Sequence, residues 1–289
     1  MTGILGKLKE YLKLVRIEHA FMLSFAVLVA ETIALGHLPQ PTLPVLLSLL
    51  VPFFIEMAAF AENDYIDIKA DIANRKHDRP LVKGTIRPHN ALRLAYACYS
   101  VGVLLALFIN LACFGIALVF ALLSSVYNRK LKDLPAVGNL YIALTMAIPF
   151  IFGNFVIYPA LHPVLVALAM LGFLSGFGRE IIKSIQDMEG DRLARRSETL
   201  PLLIGKKYAA LLAAFVFVDF VFFSILPFYF GLKPGTVPVG LVLAADLSFF
   251  YMALRLQSNQ SPHFLEQCRK LSIIAMAVGL AGIFLAAIA

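Results

Sequence analysis

Charged residues are scarce in this chain, since only 15% of its 289 residues are Asp, Glu, Lys or Arg. Soluble proteins carry about 25% charged residues and about 45–50% apolar ones. Here 60% of the residues are hydrophobic, and a soluble domain of this length would lack the polar surface it needs. This composition excludes a disordered chain, a coiled coil and a secreted disulfide scaffold, and it predicts a polytopic membrane protein.

Cysteine is scarce as well, with three residues and no Cys-x-x-Cys pair. Cys98, Cys113 and Cys268 lie in or beside apolar segments, so we interpret them as packing thiols without redox chemistry. The alternating ten-residue segments that are typical of membrane β-barrels are missing too. Continuous runs rich in Leu, Ala and Phe take their place, which predicts an all-α fold.

Nine apolar runs approach the length of about 20 residues that a membrane-spanning helix needs. They cover residues 16–36, 42–62, 92–110, 112–127, 138–157, 162–180, 208–230, 236–254 and 271–289. The first run is too long for the apolar region of a signal peptide, so we expect it to be a first span. The sequence also predicts two long connections, at 63–91 and at 181–207.

Positive charge is distributed unequally between the two sides that these spans define. Of the 25 Lys and Arg residues, 24 fall on one side and only Lys233 falls on the other. Positively charged connections stay in the cytoplasm. We therefore expect a multi-pass protein of the cell membrane whose N-terminus and two long connections are cytoplasmic and whose C-terminus is outside. Anionic lipid accounts for such a basic face, and no nucleic-acid partner is expected.

Acidic residues form two motifs on the predicted cytoplasmic side. The first motif contains Asn63, Asp64, Asp67 and Asp71, and the second contains Asp187 and Asp191. On a helix, residues three and four apart share one face, where carboxylates repel one another unless a cation compensates them. Carboxylates suit Mg²⁺, which proteins usually hold together with substrate phosphates. The motifs predict two Mg²⁺ ions around a diphosphate; the alternative is a solvated loop with exposed ion pairs.

Basic and aromatic residues accompany both motifs. Arg75 and Arg79 follow the first motif, and Lys183 precedes Asp187 by four residues. Such cations would contact a diphosphate through charge-assisted hydrogen bonds. Tyr127 lies at the cytoplasmic end of a predicted helix beside Lys132. Its ring could stabilise a carbocation, and the alternative is an interfacial tyrosine.

Taken together, these motifs resemble the UbiA-type intramembrane prenyltransferases over almost the whole chain. The likeness rests on the first motif, on Asp78-Arg79-Pro80-Leu81, on residues 127–132 with Gly138-Asn139, on residues 179–183, on residues 187–191 and on Thr199-Leu200-Pro201. It implies nine helices around a central cavity with a cytoplasmic loop cap, and transfer of a prenyl group from an isoprenyl diphosphate to a lipid or aromatic acceptor. We expect one domain over 1–289, with motif-bearing halves at about 1–135 and 136–289.

The resemblance also implies roles for single residues. The Mg²⁺ ligands would be Asn63, Asp67, Asp187 and Asp191, with Asp64 and Asp71 as further ligands, supporting groups or proton acceptors. The contacts to the diphosphate would be Arg16, Arg79, Lys132 and Lys183. A glycerol-phosphate acceptor would bring a second anion beside the donor diphosphate, and its charge alone calls for a further cation, which Arg16, Arg75 or Lys130 could supply.

The identity of the prenyl acceptor is the most detailed prediction that we make from the sequence. Residues 179–183 and 187–191 resemble the archaeal geranylgeranylglyceryl phosphate geranylgeranyltransferases, although Ser184 stands where that subgroup often has Asp. This likeness implies geranylgeranyl transfer to geranylgeranylglyceryl phosphate in archaeal ether-lipid synthesis. The run Arg16-Ile17-Glu18-His19 is similar to members with aromatic acceptors, so prenylation of 4-hydroxybenzoate or a naphthoate is one alternative. A secondary transporter is the non-enzyme alternative.

Overall fold

Most of the residues that the structure describes lie in helices. The computed structural model describes residues 4–73, 76–194 and 199–289, and the side chains of all of these except residues 4, 133 and 189–194. Within these ranges the chain contains no strand and one 3-10 turn, at Leu131–Asp133. The helices are α1 (Ile4–Leu14), α2 (Ile17–Leu35), α3 (Leu43–Ile66), α4 (Ile68–Ala73), α5 (Pro88–Leu107), α6 (Leu111–Arg129), α7 (Val137–Ile157), α8 (Pro163–Ala194), α9 (Leu200–Ile204), α10 (Lys206–Phe223), α11 (Leu226–Tyr229), α12 (Thr236–Leu256) and α13 (Pro262–Ile288).

Nine helical stretches of the described residues are long and apolar enough to cross a membrane. They are α2, α3, α5, α6, α7, α8 as far as Met188, α10 together with α11, α12 and α13. The short run predicted at 112–127 is a separate helix, α6, because Asn110 caps its first turn by accepting a 2.8 Å hydrogen bond from the Cys113 N–H. The all-α, nine-span prediction is confirmed, and the chain is a multi-pass membrane protein.

The prediction of a long connection at 181–207 is wrong over most of its length. Helix α8 continues through this stretch to Ala194, and α9 and α10 occupy nearly all of residues 200–207. The stretch is polar but contains good helix formers, and opposite charges recur four residues apart, which favours helix without apolar residues. The second acidic motif therefore lies on a helix. The predicted connection at 63–91 is likewise shorter, because α3 reaches Ile66 and α4 follows it directly.

The first compact unit comprises Met1–Leu28 and Gln40–Lys132. Its centre is formed by α3, α5 and α6. Helices α3 and α5 approach closely at Gly102, where a Cβ atom would lie 2.9 Å from Ile55 Cγ1. Leu81 and Ile86, from the segment between α4 and α5, are buried against Leu14 and Val15 in one apolar cluster. This cluster fixes residues 76–87 and so determines where Arg79 lies.

The second compact unit comprises Val29–Pro39 and Asp133–Ala289. In it, α8 packs against α7, α10 and α13, and α12 packs against α10 and α13. Phe249 on α12 lies between Phe217 and Phe220 of α10, with ring centroids 5.0 and 4.3 Å away. The expected single domain with halves at 1–135 and 136–289 stays a prediction.

We expect Gly172→Ala to destabilise the second unit. A Cβ atom at Gly172 would lie 2.5 Å from the Met146 carbonyl oxygen, so α7 would have to move away from α8. Overpacking of this kind costs about 1–3 kcal/mol. Gly240→Ala on α12 is the matched control, because no neighbouring atom of the described chain lies within 4 Å of its Cβ position. Thermal unfolding in detergent measures both, and equal stability of the two variants would contradict the close contact.

Candidate active site

The first acidic motif lies at the junction of α3 and α4. The Asp67 N–H bonds the Asn63 carbonyl at 2.9 Å, and the Asp71 N–H bonds the Asp67 carbonyl at 2.8 Å. These bonds keep the spacing of an α-helix across Asp67, although its ψ of 2° interrupts the regular helix there. Asn63, Asp67 and Asp71 therefore follow one another at one-turn intervals.

Arg79 joins two buried carboxylates of this motif. Its Nη1 atom lies 2.5 Å from Asp64 Oδ1 and 2.8 Å from Asp71 Oδ2. The side chains of Asp64 and Asp71 are only 5% and 2% exposed, so each needs a positive partner inside the protein. Lys76 supplies a further charge, with Nζ 3.3 Å from Asp71 Oδ1.

Helix α1 holds the segment that carries Arg79. Lys13 Nζ donates to the Asp78 carbonyl at 2.7 Å and lies 3.3 Å from the Asp78 carboxylate. Thr85 Oγ1 donates to Glu10 Oε2 at 2.9 Å. With Leu81 and Ile86 buried beneath them, these contacts attach both ends of the segment to the first unit.

Arg16 reaches the same cluster from the junction of α1 and α2. Its backbone φ of 45° lies in the left-handed region, which non-glycine residues rarely adopt outside functional or constrained sites. Its Nη2 atom lies 3.3 Å from Asp64 Oδ1, and its guanidinium lies 4.2 Å from the centre of the Phe60 ring. Burial lowers the pKa of Arg16, while the neighbouring Asp64 raises it.

Asp67 has a basic partner of its own. Lys132, in the 3-10 turn that follows α6, places Nζ 2.5 Å from Asp67 Oδ1. The two side chains are 9% and 11% exposed. Each aspartate of the first motif is therefore buried and compensated by Arg or Lys.

The donor set of this motif suits Mg²⁺. Carboxylate oxygens are hard ligands, and Asp71 Oδ2 is buried and accepts no hydrogen bond although Arg79 lies beside it. No three His, Cys, Asp or Glu side chains group as a metal site within the described part of the chain. In this structure the carboxylates are compensated by their ion pairs with Arg16, Arg79 and Lys132.

The second motif belongs to α8 in the second unit. Asp187 is exposed there, and Asp191 lies outside the residues whose side chains are described. Lys183 Nζ lies 3.3 Å from Glu180 Oε2, and Arg179 Nη1 lies 3.1 Å from Glu180 Oε1. The helix thus holds two cations around the buried Glu180 carboxylate, which lies about two turns before Asp187.

Tyr127 and Arg75 are the two remaining residues that the sequence predicts for the site. Tyr127 lies half-buried in the last turn of α6, and its role as a carbocation-stabilising ring stays a prediction. Arg75 lies outside the described residues.

Two residues that pair with charged groups of the site, Lys76 and Glu180, were not predicted from the sequence. Only Glu180 had a local signal, since it stands three residues before Lys183.

Known proteins resemble this chain over nearly its full length. The profile of the UbiA prenyltransferase family matches residues 23–274. The digeranylgeranylglyceryl phosphate synthase of Archaeoglobus fulgidus is 36% identical over 287 residues, which cover 96% of each chain. The digeranylgeranylglyceryl phosphate synthase of Methanosarcina mazei is 35% identical, covering 93% of this chain and 95% of its own.

Solved structures share the fold. One, from work on digeranylgeranylglyceryl phosphate synthase in membranes, is 31% identical with a TM-score of 0.79, covering 98% of this chain and 99% of its own. A UbiA homologue from Archaeoglobus fulgidus bound to GPP and Mg²⁺ is 21% identical with a TM-score of 0.64, covering 95% and 99%. By the extent of the profile match and the identity to these relatives, the chain belongs to the UbiA prenyltransferase family.

Proposed function

We propose that this prenyltransferase moves a geranylgeranyl group from its diphosphate to the free hydroxyl of geranylgeranylglyceryl phosphate, forming an ether in the presence of Mg²⁺. The observation that carries the proposal is the first acidic motif, in which three buried aspartates are compensated by Arg16, Arg79 and Lys132. The acceptor follows from the relatives at 35–36% identity, which are named for digeranylgeranylglyceryl phosphate synthesis. Family membership favours this enzyme over a transporter.

Asn63 and Asp67 are the proposed Mg²⁺ ligands of the first unit, supported by Asp64 and Asp71. Asp187 and Asp191 on α8 are the proposed ligands of a second ion. Bound Mg²⁺ would stabilise the negative charge that develops on the diphosphate as the allylic C–O bond breaks.

Arg79 and Lys132 have a second task in this proposal. In the structure both cations contact carboxylates. With a divalent ion bound by those carboxylates, Arg79 and Lys132 would donate charge-assisted hydrogen bonds to the diphosphate oxygens. Arg16 lies beside Asp64 and is the proposed contact of the acceptor phosphate. Lys183, in the second unit, is a proposed contact of the diphosphate of the prenyl donor.

The reaction also requires the protein to protect the carbocation and to remove a proton from the acceptor. The allylic carbocation must be kept from water, and we assign its stabilisation to the face of Tyr127. The acceptor hydroxyl must also lose its proton. We assign this proton to Asp71 or Asp64, the two carboxylates of the first motif that are not proposed as metal ligands.

The proposed orientation places both acidic motifs at the cytoplasmic side. It is supported by the positions of 24 of the 25 Lys and Arg residues, which lie in the N-terminal segment, in the connections or at the helix ends of one side. The N-terminus would then be cytoplasmic and the C-terminus outside.

A competition assay tests the acceptor. Purified protein in lipid nanodiscs receives geranylgeranyl diphosphate, Mg²⁺ and equal amounts of geranylgeranylglyceryl phosphate and 4-hydroxybenzoate, and products are identified by mass. We expect the diether of glycerol phosphate as the dominant product. Alkylation of the aromatic ring alone would replace the lipid acceptor with a quinone precursor.

A further inference from the structure

Glu62 is a buried carboxylate that the proposed chemistry does not use. It stands directly before the first acidic motif, in the last turns of α3, and its exposed fraction is 0%. A carboxylate buried this deeply is costly unless several donors surround it. The hydrogen-bond donors around Glu62 therefore indicate which parts of the chain this carboxylate holds together.

Donors from two other helices converge on Glu62. Arg129 of α6 donates to Oε1 through Nε at 3.2 Å and through Nη2 at 3.1 Å. Ser125 Oγ, one turn earlier on α6, donates to the same oxygen at 2.8 Å. Tyr99 of α5 donates to Oε2 at 3.2 Å. Both oxygens of the carboxylate are thus satisfied within the first unit.

Further contacts fasten the end of α6 to its neighbours. Asn128 Nδ2 donates to the Ala59 carbonyl of α3 at 3.1 Å, and Arg129 Nη2 donates to Tyr96 of α5 at 2.6 Å. Glu62 lies 67 residues from Arg129 in sequence, so the pair fixes two distant parts of the chain. The last turn of α6 is therefore held against the last turns of α3.

Lys132 follows Arg129 by three residues. It lies in the 3-10 turn Leu131–Asp133 and meets Asp67, which follows Glu62 by five residues. The Glu62–Arg129 pair and the Asp67–Lys132 pair therefore join the same two segments, one pair inside the helices and one at their ends. A displacement of the first pair would move Lys132 relative to the motif.

We propose that Glu62 and Arg129 are positioning residues that hold Lys132 beside Asp67 and thereby at the donor diphosphate. The catalytic half of this inference, that Lys132 is held at the donor diphosphate, rests on the proposed function. The positional half, that Lys132 is held beside Asp67, concerns only the first unit and can be measured without turnover. Neither residue touches the reacting atoms; both act through Lys132.

Amine labelling measures the positional half. Lys132 is 9% exposed beside Asp67, so slow acetylation is expected in the wild type. Arg129→Gln is a suitable variant, because the Arg129 side chain is 52% exposed and its loss leaves no cavity. We expect Lys132 acetylation to rise several-fold in this variant and to return towards the wild-type rate in Arg129→Lys. Arg93→Gln, at an exposed cation of α5, is the control and should change nothing. An unchanged rate in Arg129→Gln would overturn the proposal.

Kinetics measures the catalytic half. Changing a residue that orients a metal or substrate contact typically costs about 10–100-fold. We expect Arg129→Gln to raise the apparent KM for geranylgeranyl diphosphate about 10-fold. Its melting temperature should fall as well, because the buried Glu62 carboxylate loses its cation, so rates are measured well below the unfolding transition. Lys132→Ala should then cost much less in the Arg129→Gln background than in the wild type, because the two substitutions act on one contact. Full additivity would overturn the coupling, whereas absence of turnover in the wild type would overturn the proposed function and leave the labelling result standing.

Discussion

Asp67→Asn is expected to lower turnover at least about 10²-fold, the usual effect of losing one group that stabilises transition-state charge. The amide keeps the shape of the side chain but loses the negative charge that a Mg²⁺ ligand contributes. Asp67 is a proposed ligand, and Lys132 compensates it in the structure. Initial rates at saturating donor, acceptor and Mg²⁺ measure the effect.

The control for this variant is Glu10→Gln. Glu10 accepts a hydrogen bond from Thr85 at the surface, and the amide can still accept it. Turnover of Glu10→Gln should equal that of the wild type, and both variants should elute as folded protein in size-exclusion chromatography. Wild-type turnover in Asp67→Asn would remove Asp67 from the metal site.

Arg79→Met is expected to lower both stability and turnover. The substitution leaves the buried carboxylates of Asp64 and Asp71 without their shared partner. Breaking a buried ion pair from one side costs about 3–5 kcal/mol. Lys13→Met is the control, because its pair with Asp78 is 45% and 74% exposed, and exposed pairs contribute at most about 1 kcal/mol. Chemical denaturation in detergent measures both variants.

A compensating variant separates the two effects of Arg79→Met. Adding Asp64→Asn and Asp71→Asn removes the two buried negative charges that have lost Arg79 and retain Arg16 and Lys76, each at 3.3 Å, so much of the lost stability should return. Turnover should stay low, because the contact to the diphosphate is still missing and the carboxylates proposed to support the metal and to accept the proton are replaced as well. Recovery of turnover in the triple variant would contradict both the diphosphate contact of Arg79 and the catalytic roles of Asp64 and Asp71.

Hydropathy predicts the membrane spans of this chain but not the ends of its helices. Each span contains a long apolar run, and the structure has a helix over every one of them. The continuation of α8 to Ala194 could not be seen in hydropathy, because its last two turns are polar. Similarly, α13 begins at Pro262 instead of 271 because Ser261 accepts a hydrogen bond from the Phe264 N–H and Pro262 suits the first turn.

In the candidate site, features that depend on residues close in sequence could be predicted, whereas pairs of residues distant in sequence could not. The helical spacing of Asn63, Asp67 and Asp71 could be read from the sequence, because it depends on residues one turn apart. The pairing of Asp67 with Lys132 spans 65 residues, and that of Glu62 with Arg129 spans 67. No local pattern specifies such partners; they follow from the packing of α6 on α3.

The most direct test of the account is product formation by the wild-type protein as a function of Mg²⁺ concentration. The protein in nanodiscs, stripped of divalent ions, receives geranylgeranyl diphosphate and geranylgeranylglyceryl phosphate, and the ether product is quantified by mass. The account predicts no product in excess chelator, a saturable rise as Mg²⁺ is added, and a rise shifted to higher Mg²⁺ or lost in Asp67→Asn. Ether formation at the full rate in excess chelator would contradict it.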